Sequence, residues 1–163
     1  MKTKVIIFIF SCIVLSSCDG NGLDYEVNDP LLNSSQKKLL ELVNGYRKSG
    51  CRCDTQEMPP VEPVVWNKLL ESAAQKHSDD MSSNSFFSHT NLDGKGPGDR
   101  ITDVGYTWTA CGENIARGYG SEETVINAWI NSPDHCRNIM NSNFKEMGVA
   151  RNGSYWTQVF GRR

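Results

Sequence analysis

The stretch Gly112-Glu113-Asn114-Ile115 decides how this chain is interpreted, together with Ser132-Pro133-Asp134-His135 further along. A helix is predicted between them, over about Glu122 to Asn131, because its apolar residues recur at helical spacing. Upstream lies Phe86-Phe87-Ser88-His89-Thr90, which follows another predicted helix. Two histidines and one glutamate therefore stand at the edges of predicted elements, where side chains can converge on a cleft.

Two long helices are predicted before these stretches. Ser34 or Ser35 offers an N-cap for the first, and Gly50 ends it. Asn67 caps the second, whose apolar residues recur at helical spacing as far as Met81. Both helices are thus predicted to bury one face against a core.

Shorter segments fill the rest of the helical pattern. Residues 51–63 contain three prolines and are predicted to be an extended connector. A short helix is predicted over about Arg100 to Tyr106, with Gly105 ending it. Ser132 and Pro133 begin another, with serine as N-cap and proline at the first helical position.

The C-terminal part is predicted to be a β-hairpin. Asn152-Gly153 separates the apolar runs Met147–Arg151 and Ser154–Phe160, and Asn-Gly between such runs is the strongest short-range hairpin signal. Helices followed by late strands predict an α+β fold, with helices packed on a small antiparallel sheet. A chain of 163 residues fits one domain.

Composition excludes some partners. The formal charge is −2 and the pI is near 5.9, so the chain lacks the clustered basic face that binds nucleic acid. The glycine-rich run 94–98 follows no predicted strand, as a phosphate-binding loop would require. No nucleic-acid partner is therefore expected.

The N-terminus is predicted to be a lipoprotein signal peptide, residues 1–17. Lys2 and Lys4 precede an apolar run that is too short to span a bilayer. The run ends in Leu15-Ser16-Ser17-Cys18, which resembles a bacterial lipobox. Cys18 would then carry the lipid and anchor the protein to a membrane of the cell envelope or surface, outside the cytoplasm. The alternative is an ordinary signal peptide cleaved nearby.

Residues 18–33 are predicted to be a tether and residues 34–163 the domain. Four cysteines remain in the domain, an even number that favours two disulfides in an oxidising compartment. A bridge between Cys51 and Cys53 would strain the usual Cα separation of about 5.5 Å. Each is therefore expected to pair with either Cys111 or Cys136. The alternative is a four-thiolate zinc site.

Several stretches together resemble the bacterial secreted branch of the CAP superfamily, which contains cysteine-rich secretory proteins, antigen 5 and pathogenesis-related 1 proteins. The resemblance to these SCP-like domains covers about residues 35–161. It implies an α-β-α sandwich with a central cleft, in which two histidines and two glutamates can hold a divalent metal, often zinc. The matching stretches are Leu69–Met81, Phe87–Thr90, Gly112–Ala116, Ala128–His135, Asn138–Met140, Met147–Ala150 and Tyr155–Gly161.

The resemblance assigns site residues one by one. His89 and His135 match the two histidines and Glu113 the first glutamate, whereas the second glutamate is missing and Ser132 lies near its position. Two imidazoles and one carboxylate suit a catalytic zinc site, which keeps three protein ligands and a water. The two histidines can instead bind the metal while Glu113 acts as base or orienting group. A third possibility is a hydrogen-bonded cluster without turnover.

The remaining candidate residues are predicted to be structural. His77 lies on the apolar face of the second helix and is predicted to be a packed core histidine. Cys111 and Cys136 flank the site residues and are predicted to be disulfide partners, not nucleophiles. The four tryptophans are predicted to belong to the core: Trp66, Trp108, Trp129 and Trp156.

Three functions follow from these features. The leading interpretation is a non-enzymatic binding module outside the cytoplasm, with a lipid, peptide or protein ligand. The second is a metal-dependent, protease-like hydrolase that uses His89, Glu113 and His135 with zinc or another divalent metal. The third is a structural envelope protein.

Overall fold

The computed structural model describes residue 27 and residues 29–163. The predicted signal peptide, the lipidation site Cys18 and most of the tether lie outside the described residues. Within the described part, no helix has both the length and the apolar character needed to cross a membrane. The elements in chain order are α1 (Ser34–Ser49), β1 (Cys51–Cys53), β2 (Gln56–Met58), β3 (Val65–Trp66), α2 (Lys68–Ser83), α3 (Pro97–Asp103), β4 (Ala110–Arg117), α4 (Glu122–Ile130), α5 (Pro133–Ile139), β5 (Glu146–Asn152) and β6 (Tyr155–Arg162).

The main sheet has four strands in the order β3-β5-β6-β4. Strand β6 pairs antiparallel with β5 on one side and with β4 on the other, and Glu113 lies opposite Val159. The short strand β3 pairs parallel with β5, which is the one departure from the predicted antiparallel sheet. The predicted hairpin is confirmed, with its turn one residue later, at Gly153 and Ser154.

Helices cover both faces of this sheet, as the alternation along β5 and β6 makes visible. Met147, Val149, Trp156 and Phe160 pack in the core cluster that contains α1, α4 and α5. Val159, between Trp156 and Phe160 in this alternation, packs instead with α2 and α3, as does Ala150 of β5. Because successive strand residues point to opposite faces, the two helix groups form opposite layers. The predicted α+β fold with an α-β-α sandwich is confirmed.

Helix α2 approaches the sheet very closely at Gly148. A Cβ atom at this position would lie 2.1 Å from the main-chain nitrogen of Glu71. Only a residue without a side chain allows the helix and strand backbones to come so near. This contact brings α2, and the loop that follows it, down onto the sheet.

Local sequence signals fixed most helix ends, with two corrections. The N-cap of α1 is Asn33, which forms a capping box with Gln36, and not Ser34 or Ser35. Helix α3 begins at Pro97, earlier than predicted, because proline suits the first helical turn. Asn67 and Ser121 cap α2 and α4 as predicted.

The predicted connector over residues 51–63 contains a small hairpin, β1–β2, that the sequence did not predict. Its turn includes Asp54 at φ +58°, and aspartate tolerates this conformation better than most residues. The proline-rich part after it is held by Arg47, which is fully buried and donates to the carbonyl oxygen of Glu62. The guanidinium thus replaces strand pairing in this segment.

Candidate functional site

Glu113 lies in the middle of β4, and its carboxylate is almost fully buried beneath the loop that joins α2 to α3. Arg100 of α3 donates from Nη2 to Glu113 Oε2 at 2.6 Å. His89 lies 2.8 Å from the other oxygen through its Nδ1 atom. Both carboxylate oxygens are therefore engaged by protein groups.

The partner of His89 fixes its tautomer. A carboxylate paired with a guanidinium only accepts hydrogen bonds, so His89 donates its Nδ1–H to Glu113. The Nε2 atom then carries the lone pair, and the His89 side chain is 48% exposed. This arrangement presents a nitrogen ligand toward solvent and gives Glu113 the orienting role of a second-shell carboxylate.

His77 of α2 supports the same loop from below. Its Nε2–H donates to the carbonyl oxygen of Ser88 at 2.9 Å, and the same nitrogen lies 3.9 Å from Glu113 Oε1. The ring is fully buried, and its Nδ1 atom has no hydrogen-bond partner. Burial lowers the pKa of His77, and the charge of Arg100 adds to this effect, whereas Glu113 opposes it. The prediction that His77 is a buried packing residue agrees with this arrangement.

His135 lies in the first turn of α5, and hydrogen bonds from its neighbours hold that turn to β4. Asn114 donates to the carbonyl oxygen of His135, and Asn138 donates to that of Glu113. The pKa of His135 is lowered by burial first and then by the charge of His89, which lies on the same side of the molecule. Ser132, near the position of the missing second glutamate, is the N-cap residue of α5 without a side-chain cap bond.

These residues fit a metal only in part. Within residues 27 and 29–163, the cluster of close metal-ligating atoms is formed by Cys51, Cys53 and Cys136, and not by the predicted trio. Glu113 has both oxygens engaged, so the arrangement suits two histidine ligands with the glutamate orienting one of them. Metal binding by His89, Glu113 and His135 stays a prediction.

One of the two expected disulfides is present. Cys53 is joined to Cys136, which confirms a bridge between β1 and the site-bearing helix α5. The second expected bridge and the four-thiolate zinc site are wrong for the described residues. Cys111 is a free thiol that packs on the α2–α3 side of the sheet. Cys51 faces Cys136, because alternate residues of β1 point the same way.

Sequence reasoning missed Arg100, which organises the whole site. Besides Glu113, it binds the side-chain oxygen of Asn91 and the carbonyl oxygen of Lys95. Its position in a short helical pattern gave no signal of burial. The prediction for the tryptophans was right for Trp129 and Trp156 but wrong for Trp108, which is 38% exposed.

The sequence matches the model of the cysteine-rich secretory protein family over residues 40–160. A relative in Bacillus subtilis, the protein YkwD, is 34% identical over 132 residues, which are 79% of this chain and 48% of YkwD. The chain thus spans about half the length of that relative.

Solved structures agree with this match. An extracellular protein of Bacillus anthracis that contains an SCP domain aligns with a TM-score of 0.71 and 26% identity, covering 79% of this chain and 40% of its own. The structure of NaASP2 with Zn²⁺ aligns with a TM-score of 0.57 and 15% identity over 84% of both chains. The second likeness is one of fold.

Proposed function

Since the chain belongs to the cysteine-rich secretory protein family, we propose that it is a non-enzymatic binding domain that works outside the cytoplasm. The proposed ligand-facing groups are the imidazoles of His89 and His135. Zinc or another divalent ion is the proposed cofactor, and a lipid, peptide or protein the proposed ligand. The extracellular relative from Bacillus anthracis supports the location.

The engagement of Glu113 carries this proposal. A metal-dependent hydrolase needs a carboxylate that can take a proton from water. Here the carboxylate is buried, one oxygen accepts from Arg100, and the other accepts from His89. A carboxylate that is neutralised in this way is a poor general base, whereas the exposed edge of His89 stays available to bind. The arrangement therefore favours binding over hydrolysis.

Membrane attachment through a lipid on Cys18 is part of the proposal. It is supported by the signal-like segment 1–17 and its lipobox-like end. Metabolic labelling with palmitate in the native cell tests it, with Cys18→Ala as the matched control. Label on the natural chain and none on the variant is expected, and absence of label on both would contradict the anchor.

A zinc titration tests the site. The protein, with its disulfide formed, is titrated with zinc in competition with a chromogenic chelator. His89→Ala and His135→Ala are each expected to abolish most of the binding, because each removes one of two proposed ligands. Glu113→Gln is expected to weaken affinity roughly 10–100-fold, as loss of an orienting carboxylate does elsewhere.

Activity assays separate the binding domain from a hydrolase. The zinc-loaded protein is incubated with panels of peptides and esters, and no turnover above the zinc-only control is expected. Ser132→Glu tests the missing acid, because position 132 has no cap bond to lose. Turnover by the natural protein that disappears in His89→Ala would overturn the proposal in favour of hydrolysis.

A further inference from the structure

Three cysteine sulfurs lie together in the core, away from the histidine site. The Sγ atoms of Cys51, Cys53 and Cys136 are all within 4.8 Å of one another. Cys53 and Cys136 form the disulfide, and Cys51 Sγ lies 3.7 Å from Cys136 Sγ. That separation is close to van der Waals contact between sulfur atoms. Cys136 therefore has two possible disulfide partners within reach.

The strand geometry explains this arrangement. Cys51 and Cys53 are separated by one residue in β1, so both side chains point to the same face, while Arg52 is exposed. That face packs on α5, and all three cysteines belong to the core cluster of α1, α4 and α5. Neither partner needs to cross the sheet to reach Cys136.

We propose that the disulfide of Cys136 interconverts between Cys53 and Cys51 by thiol–disulfide exchange within the folded chain. The Cys51 thiolate attacks Cys136 Sγ, a Cys51–Cys136 bond forms, and the Cys53–Cys136 bond breaks. Cys53 leaves as a thiolate and takes up the proton that Cys51 released. One disulfide and one thiol exist before and after, so no outside oxidant or reductant is needed.

The two linkages restrict the unfolded chain almost equally. The separations along the sequence are 83 residues for Cys53–Cys136 and 85 for Cys51–Cys136. Since the entropy of loop closure changes only with the logarithm of loop length, it does not choose between them. The fit of each bridge in the native core decides the ratio.

Exchange would change how the histidine site is attached. Cys136 directly follows His135, so the disulfide ties the first turns of α5 to β1. Moving the bridge by two residues along β1 moves that attachment point by about 6.6 Å along the strand. The site histidine is thus held by a tether with two positions.

Peptide mapping tests the proposal directly. Trypsin cleaves after Arg52, so Cys51 and Cys53 fall on different peptides, residues 49–52 and 53–68, and Cys136 falls on residues 118–137. The folded protein is incubated at pH 8 or pH 5, and thiols are then trapped with N-ethylmaleimide in acidic denaturant before digestion. At pH 8 both linked pairs are expected within roughly minutes to hours, and more slowly at pH 5.

Variants separate this reaction from other routes. Cys53→Ser is expected to form the Cys51–Cys136 bridge, and Cys51→Ser to keep Cys53–Cys136 alone. Cys111→Ser, which changes a thiol on the other side of the sheet, is expected to leave both linkages unchanged. Detection of only the 53–68 pair after hours at pH 8 in the natural protein would overturn the proposal. So would loss of the Cys51 linkage in Cys111→Ser.

Discussion

Arg100 Nη2 lies 2.6 Å from Glu113 Oε2, and the side chains of both residues are at least 95% buried. A charge pair in such a setting costs free energy to desolvate, and its members depend on each other. Arg100 also binds the loop that carries His89, through Asn91 and Lys95. The pair therefore joins α3, β4 and the site loop into one unit.

Arg100→Ala is expected to lower the free energy of unfolding by about 3–5 kcal/mol, because it leaves the Glu113 carboxylate buried without its cation. Urea unfolding at neutral pH measures this loss. Lys38→Ala, which removes an exposed ion pair with Glu123, is the control and should cost less than about 1 kcal/mol. Equal losses in the two variants would show that the buried pair contributes nothing special.

The buried His77 predicts a loss of stability in mild acid. Burial lowers its folded pKa below the usual value of 6.5, so the unfolded chain binds the proton more readily. Stability should therefore fall as the pH drops from 6.5 toward the folded pKa, and His135 adds to the effect because its pKa is lowered too. Urea unfolding at pH 7.5, 6.5 and 5.5 measures the slope. His77→Gln should flatten it, and an unchanged slope would contradict this assignment.

The close packing at Gly148 predicts a large effect of one methyl group. Gly148→Ala would place a Cβ atom 2.1 Å from the main chain of α2, so the helix must move. The expected cost is about 3 kcal/mol, at the upper end of the range for overpacked cores. Thermal or urea unfolding measures it, with Gly120→Ala as control, since a Cβ there has open space. A loss no greater than that of the control would contradict the backbone contact.

Tyr106 predicts a loss of stability in alkali. Its pKa is raised above 10 by burial and by its 2.5 Å hydrogen bond to Glu146, so the unfolded chain ionises first as the pH rises. Stability should therefore decline above pH 10, and Tyr106→Phe should reduce that decline. An absorbance titration at alkaline pH gives a second measurement. Tyr106 should ionise later in the folded protein than in guanidinium, and coincident ionisation would refute the assignment.

Elements with local signals could be predicted from the sequence. Asn67 and Ser121 accept hydrogen bonds within the first turn of their own helices, and Gly153 supplies a turn between neighbouring strands. Such signals need only a few adjacent residues. The β1–β2 hairpin escaped prediction because its strands have three residues each, too few for a period to be recognised.

The site was predictable in its histidines and glutamate but not in its wiring. The family resemblance named His89 and Glu113, and their hydrogen bond is present. Nothing local identifies Arg100 as the cation beneath them, because its partners lie on other elements. Likewise, the choice of Cys53 over Cys111 as partner depends on which face of the sheet each cysteine occupies. Such choices are made by tertiary packing.

Arg47 has a consequence for how this fold can vary. Its guanidinium stays a cation at neutral pH, with its pKa lowered to about 10 by burial, and it donates only to carbonyl oxygens. These belong to Glu62, Ile139, Asn141 and Phe144. Because main-chain atoms are the same in every residue, the support is indifferent to the side chains above it. A groove of about 430 Å³ there, lined by residues such as Pro60, Glu62 and Lys145, can change its chemistry while its foundation stays constant.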